Sequence, residues 1–183
     1  FETYTGTVVY TAGAAAGEGA DRAAMRLDPA DEAALPAVLR EARARGLRTV
    51  VLLNISGPVD MRPWLADSDA VLCVFIPGCE GGVAAAELLT GRREPGGRLP
   101  ITLPLRYEDA PAYPNFPGEH DDSFYGEGLF IGYRSYEKRG IPVCFPFGHG
   151  LSYTSFTQKP LTGALRFDIT RDETLTVPVE VTN

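Results

Sequence analysis

Residues 49–55 read Thr-Val-Val-Leu-Leu-Asn-Ile, an almost unbroken apolar run of strand length that is rich in β-branched side chains. A strand facing water on one side alternates apolar and polar residues, whereas a continuous run is what a parallel sheet covered on both faces requires. Working outward, residues 7–12 (TVVYTA) and 70–76 (AVLCVFI) have the same character, and 98–103 (RLPITL) is a shorter fourth candidate flanked by prolines. Helical patterns fall between them. Asp28-Pro29 is a capping pair, Ala34, Leu35, Val38, Leu39 and Ala42 recur with helical spacing, and Gly46 closes the element. Gly57-Pro58 breaks the chain after the second strand, Val59–Leu65 has the length of a short helix, and Glu80–Thr90 reads as a third helix with its Ala and Leu facing inward and its end at Gly91. Alternation of strand and helix predicts an α/β three-layer sandwich built on a mostly parallel sheet.

Composition narrows the partners. Of 183 residues, 44% are hydrophobic and 22% charged, which suits a folded domain, and the net charge of −7 opposes a nucleic-acid surface. No apolar run approaches the roughly 20 residues of a membrane-spanning helix. Cys73, Cys79 and Cys144 lack the spacing of a zinc site. The chain starts on Phe1, not Met, and is read as a piece of a longer polypeptide.

Beyond residue 103 the pattern changes. Residues 104–124 are rich in Pro, Asp, Asn and Tyr without periodicity, and 125–153 are dense in Gly and aromatics and read as packed. Residues 164–169 and 175–182 then alternate in strand fashion, too few to close a β-sandwich of their own.

One motif suggests a nucleotide. Thr11, Gly13, Gly17 and Gly19 follow a strand with the glycine spacing of a dinucleotide loop. Against it, helix signals wait until Asp28, the second strand ends in Asn54-Ile55-Ser56 without an acid for a ribose, and no Tyr stands four residues before Lys138 or Lys159.

Six other segments, taken in order, resemble the family 3 glycoside hydrolases. They are Gly17-Glu18-Gly19-Ala20-Asp21-Arg22, Val50–Asp60 (VVLLNISGPVD), Pro77–Gly82 (PGCEGG), Pro95–Pro100 (PGGRLP), Tyr125–Tyr136 (YGEGLFIGYRSY) and Phe145–Tyr153 (FPFGHGLSY). The resemblance implies a three-part β-glucosidase: a (β/α)8-type barrel, an α/β sandwich, here residues 1–156, and a fibronectin type III-like domain, here begun at 157–183. It also implies that the barrel, outside this chain, supplies an Asp nucleophile, and that Glu18 is the general acid/base. Retaining hydrolysis of terminal, non-reducing β-D-glucosyl residues uses two carboxyl groups about 5–5.5 Å apart. It calls for no metal and no organic cofactor. Gly17 and Gly19 would give the Glu18 loop the freedom to reach a second domain.

Other residues compete for attention. Asp21 and Arg22 are read as an ion pair fixing the loop. Glu80, in a helix's first turn, complements the helix dipole. Glu127 and His149 are read as packing or hydrogen-bonding residues, His120 as a loop residue, Trp64 as core, and Tyr125 as a candidate for stacking on sugar. The alternatives to catalysis are a sugar-binding or structural module and a nucleotide-binding domain. Within the family, a β-xylosidase or an N-acetylglucosaminidase is the alternative.

Overall fold

A computed structural model describes residues 6–163, 165, 167, 168, 170, 171 and 174–183. Three strands, β1 (Thr7–Ala14), β2 (Arg48–Ile55) and β3 (Ala70–Cys73), form a parallel sheet in the order β1-β2-β3. Their register sets Tyr10, Val51 and Val71 side by side, and likewise Ala12, Leu53 and Cys73. The mostly parallel α/β architecture agrees with the expectation from the apolar runs.

Helix α1 (Pro29–Ala44) connects β1 to β2. Pro29 opens it with a φ already suited to the first turn, Asp31 and Glu32 complement its amino-terminal dipole, and Arg43 its carboxyl end. Leu35, Leu39 and Ala42 recur on one stripe and are buried. Leu35 and Leu39 join Ala12, Ala14, Leu27, Val51, Leu53, Ile55, Val59, Met61, Trp64 and Leu103 in one apolar core. Asp28 does not cap α1 in the ordinary way: no helix N–H bonds its side chain. It is spent on the preceding loop instead.

Burial alternates along β1 and β2 instead of covering both faces. Thr49, Val51, Leu53 and Ile55 are buried, but the row Val9–Val50–Ala70 lies on the other face, where Val9 keeps 46% of its surface exposed. Sequence could not separate the two faces because both are apolar.

Several elements differ from expectation. Between Val59 and Leu65 no α-helix forms; Pro63 lacks the N–H a helix there would use, and a 3-10 turn at Leu65–Asp67 follows. Trp64, 2% exposed, fills the core. Helix α2 (Gly81–Leu89) forms, but only Gly81 and Ala85 are buried, not its leucines. The fourth parallel strand is absent among the described residues. Only β4 (Leu103–Pro104) forms, antiparallel to β5 (Val143–Phe145), because prolines at 100 and 104 remove ladder donors. Residues 97–102 lie beside 147–150 through Leu99 N–H to His149 O and Gly148 N–H to Leu99 O, each 2.8 Å.

Residues 104–124 are organised by two 3-10 turns, Tyr107–Asp109 and Tyr113–Asn115, with Tyr107 and Tyr113 edge to face at 5.0 Å. Helix α3 (Tyr133–Arg139) follows, ended by Gly140 in the left-handed region. The segment from 125 to 153 is folded, yet several of its large apolar side chains face solvent: Tyr125 and Leu129 are each 82% exposed. At the chain's end β6 (Thr157–Pro160) pairs antiparallel with β7 (Val179–Thr182). The strand expected at 164–169 falls partly outside the described residues (Ala164, Arg166 and Ile169), and β6 takes its place as partner. No helix among the described residues is long and apolar enough to cross a membrane.

Candidate functional site

The carboxyl end of β1 is held by two acids at the start of α1, Asp28 just before the helix and Asp31 in its first turn. Gly13 N–H donates to Asp31 Oδ2 at 2.8 Å and Ala15 N–H to Asp28 Oδ1 at 3.0 Å, while Asp28 N–H returns a bond to Gly13 O at 2.8 Å. Asp31 also accepts the Tyr10 hydroxyl at 3.0 Å; burial first, then this bond and the nearby charge, push the phenol up. A Cβ on residue 13 would lie 3.3 Å from Asp28 Oδ2, so glycine there makes room for the clamp.

Beyond Ala15 the chain turns sharply. Gly17 and Ala20 form an isolated antiparallel bridge, with Ala20 N–H to Gly17 O at 3.3 Å, and Gly19 adopts a φ of +77° that a side chain would oppose. Glu18 therefore stands at the tip of a tight turn, exposed, at the carboxyl end of a parallel strand. Ligand-contacting loops of open parallel sheets occupy this position.

The far side of the loop is tied to the turn after β2. Arg22 Nη2 donates to Pro58 O at 2.7 Å and Nη1 to Arg26 O at 3.4 Å, and Asp60 N–H donates to Met25 O at 2.8 Å. The expected Asp21–Arg22 ion pair does not form: the guanidinium binds carbonyl oxygens and Asp21 is exposed. Carbonyls offer no signature in a sequence, so this role was not legible there. An open depression of about 500 Å³ lies against the loop, lined by Arg22, Arg26, Leu27, Asp28 and Glu32 among others, and Glu18 lies outside its wall.

The other carboxylates are placed differently. Glu80 occupies the position before the first turn of α2, exposed and with no side-chain bond to that turn. Glu127 is half-buried, and its Oε2 is buried without a partner. Asp60 is engaged by Arg62 in a two-point contact, 2.9 Å to Oδ1 and 2.6 Å to Oδ2, and this bond holds its carboxyl below the usual carboxylate range. His149 stacks at a tilt on Phe145, 4.9 Å between centroids, while His120 is exposed in the left-handed region. Tyr125 faces solvent. Burial pushes the Cys73 and Cys144 thiols up.

The glycine pattern forms no phosphate cradle. Fourteen loop residues, 15–28, separate β1 from α1, and the amides at 13 and 15 are already bonded by carboxylates that would repel a pyrophosphate.

Comparison with known proteins gives one consistent result. The glycosyl hydrolase family 3 C-terminal domain matches residues 4–153. "Probable beta-glucosidase I" of Emericella nidulans is 38% identical over 169 residues, covering 91% of this chain and 20% of that protein. "Thermostable beta-glucosidase B" of Acetivibrio thermocellus is 40% identical over 166 residues, covering 91% and 21%. Among solved structures, a β-glucosidase of Kluyveromyces marxianus in complex with glucose superposes with a TM-score of 0.79 at 36% identity, covering 87% of this chain and 19% of that one. β-Glucosidase 3B of Thermotoga neapolitana in complex with α-D-glucose gives the same TM-score of 0.79 and identity of 36%, covering 87% and 23%. The chain thus spans about a fifth of the length of the curated relatives it matches.

Proposed function

The chain belongs to glycosyl hydrolase family 3, as its C-terminal domain, and from that premise we propose that it supplies the general acid/base of a retaining β-glucosidase. Glu18 is the group that carries this role. One observation supports it above the others: an exposed carboxyl at the tip of a turn whose two flanks are both bonded to the body of the domain. A carboxyl that must meet a substrate held by another domain needs reach without looseness, and this loop has both.

In this reading the nucleophile lies on a (β/α)8-type barrel that the chain does not contain. That carboxylate attacks the anomeric carbon while Glu18 gives its proton to the departing glycosidic oxygen. Glu18 then takes a proton from the water that cleaves the glycosyl-enzyme, and configuration is retained. The exposed aromatic surface between residues 104 and 156 would be the seat of the remainder of the enzyme. Residues 157–183, whose β6–β7 pair is antiparallel and exposed, would begin a fibronectin type III-like domain. The substrate class is terminal, non-reducing β-D-glucosides, in keeping with the names of the relatives.

The test is Glu18→Gln in the barrel-bearing enzyme. Alkyl glucosides, whose leaving groups need the proton, should lose about 10²–10⁴-fold in kcat/KM. Activated aryl glucosides should instead accumulate a glycosyl-enzyme that azide converts to a β-glycosyl azide. The assignment fails if Glu80→Gln or Glu127→Gln shows this rescue and Glu18→Gln behaves as wild type.

A further inference from the structure

The loop bearing Glu18 has no tie of its own between Ala15 and Arg22 except the Ala20–Gly17 bond, and residues 16–21 are all exposed. Its position therefore depends on the bonds at its two ends. At the near end the holders are Asp28 and Asp31. At the far end the first side chain to grip the body of the domain is Arg22, through Pro58 O at 2.7 Å. Without Arg22 the next tie is the Met25 carbonyl, bonded by Asp60 N–H at 2.8 Å, so the untied stretch grows from 16–21 to 16–24.

A second feature marks the same contact. A Cβ added to Gly57 would meet one neighbour within 4 Å, Nη2 of Arg22, at 3.3 Å. The backbone of Gly57 is outside the left-handed region, so conformation does not require a glycine there. A Cβ there would press on the guanidinium, which would have to give by a few tenths of an ångström.

We infer that Arg22 is a positioning residue for catalysis: it clamps the acid/base loop to the turn after β2 so that the Glu18 carboxyl meets the glycosidic oxygen. The inference rests on the assignment of Glu18 as acid/base. It gives Arg22 a role within this domain and not at the substrate: Nη1 and Nη2 each donate to a main-chain carbonyl of the domain itself. Misplacement of a reacting group by about 1 Å lowers rate on the order of 10²-fold. The damage should fall on proton donation and spare steps that do not need it.

The experiment compares Arg22→Met and Gly57→Ala in the barrel-bearing enzyme, alone and combined with Glu18→Gln. The measurement is kcat/KM, which reports the glycosylation step, for an alkyl and a dinitrophenyl β-glucoside. Arg22→Met should lose about 10–100-fold on the alkyl substrate and much less on the activated one. Gly57→Ala should shift both in the same direction by a smaller factor, and it decides alone if Arg22→Met does not fold. In the Glu18→Gln background neither change should lower the alkyl rate further, because the proton donor they position is gone. Equal losses on both substrates, or full losses that persist in the Glu18→Gln background, would overturn the inference. Failure of Glu18→Gln itself to discriminate leaving groups would instead sink the assignment of Glu18, and the two failures are distinguishable in one data set.

Discussion

The two halves of the chain treat apolar side chains in opposite ways. From β1 to β3 they are gathered inward: Leu35, Leu39, Val51, Leu53 and Ile55 have essentially no contact with solvent. From 116 to 156 Phe124, Tyr125, Leu129, Ile131, Leu151 and Tyr153 are turned outward, each more than half exposed. Both halves carry large aliphatic and aromatic side chains. The first has a helix and a sheet whose periodicities bring one face of each together, so burial follows from local pattern. The second is shaped by backbone and carboxylate ties, such as Glu94 to Ser152 Oγ and to Tyr153 N–H, with ring contacts such as Tyr133 stacked on Phe147 at 4.7 Å. On the proposed reading this surface is where another domain packs.

This contrast predicts unequal sensitivity to truncation. Leu39→Ala, at a site with no exposure and contacts in the core of α1, should destabilise the chain by about 2–5 kcal/mol, the sum of lost transfer energy and an unfilled cavity. Urea unfolding followed by far-ultraviolet circular dichroism measures it. A loss below about 1 kcal/mol would mean that the site collapses around the deletion and that the inward half is loosely packed.

The same contrast explains what was legible in the sequence. The runs at 49–55 and 7–12 and the stripe Leu35, Leu39, Ala42 announced β2, β1 and α1 because burial there follows local periodicity. The run at 98–103 looked similar but contains Pro100, and its residues 99 and 102 are bonded to residues 147–149 across almost fifty positions, which no local pattern encodes. β6, Thr-Gln-Lys-Pro, is polar and exposed, so nothing marked it as a strand. At the site, Glu18 is singled out only by the resemblance of residues 17–22 to family 3, because a glutamate between two glycines is by itself an ordinary loop charge. The partner of Arg22 was not legible, because it is the carbonyl of Pro58 and any residue could have supplied it.

An intermediate effect should appear with pH at the junction of β2 and β3. Thr49 is buried, and Asp69 accepts its N–H at 2.7 Å and its hydroxyl at 3.1 Å; the backbone bond first, then the hydroxyl, hold this carboxyl below the usual carboxylate range. A folded-state pKa below the unfolded one means that the unfolded chain takes up the proton first as pH falls. The stabilisation is therefore complete above the unfolded value of about 4 and is lost as pH drops through the folded value. Asp69→Asn removes that titration. The gap in urea midpoint between wild type and Asp69→Asn should be present at pH 6 and narrow in acid. A gap that widens on acidification would show that the aspartate is not held as its ionised form.

The smallest effect is expected where an apolar side chain is among the most exposed. Leu129 keeps 82% of its surface in water, and Phe130 and Ile131 beside it are also exposed. Leu129→Ser removes little that the chain itself buries, so its unfolding free energy should stay within about 0.5 kcal/mol of wild type. In the barrel-bearing enzyme the expectation is different. If residues 104–156 form the seat of the remaining polypeptide, Leu129 passes from water into an interface there. Burying a leucine side chain is worth about 1.5–3 kcal/mol, and the same substitution should cost that much when measured on the whole enzyme. A loss of equal size in both settings would place Leu129 in a contact internal to this domain. No loss in either would mean that the outward half meets solvent throughout, and that its apolar surface serves something other than assembly with the rest of the enzyme.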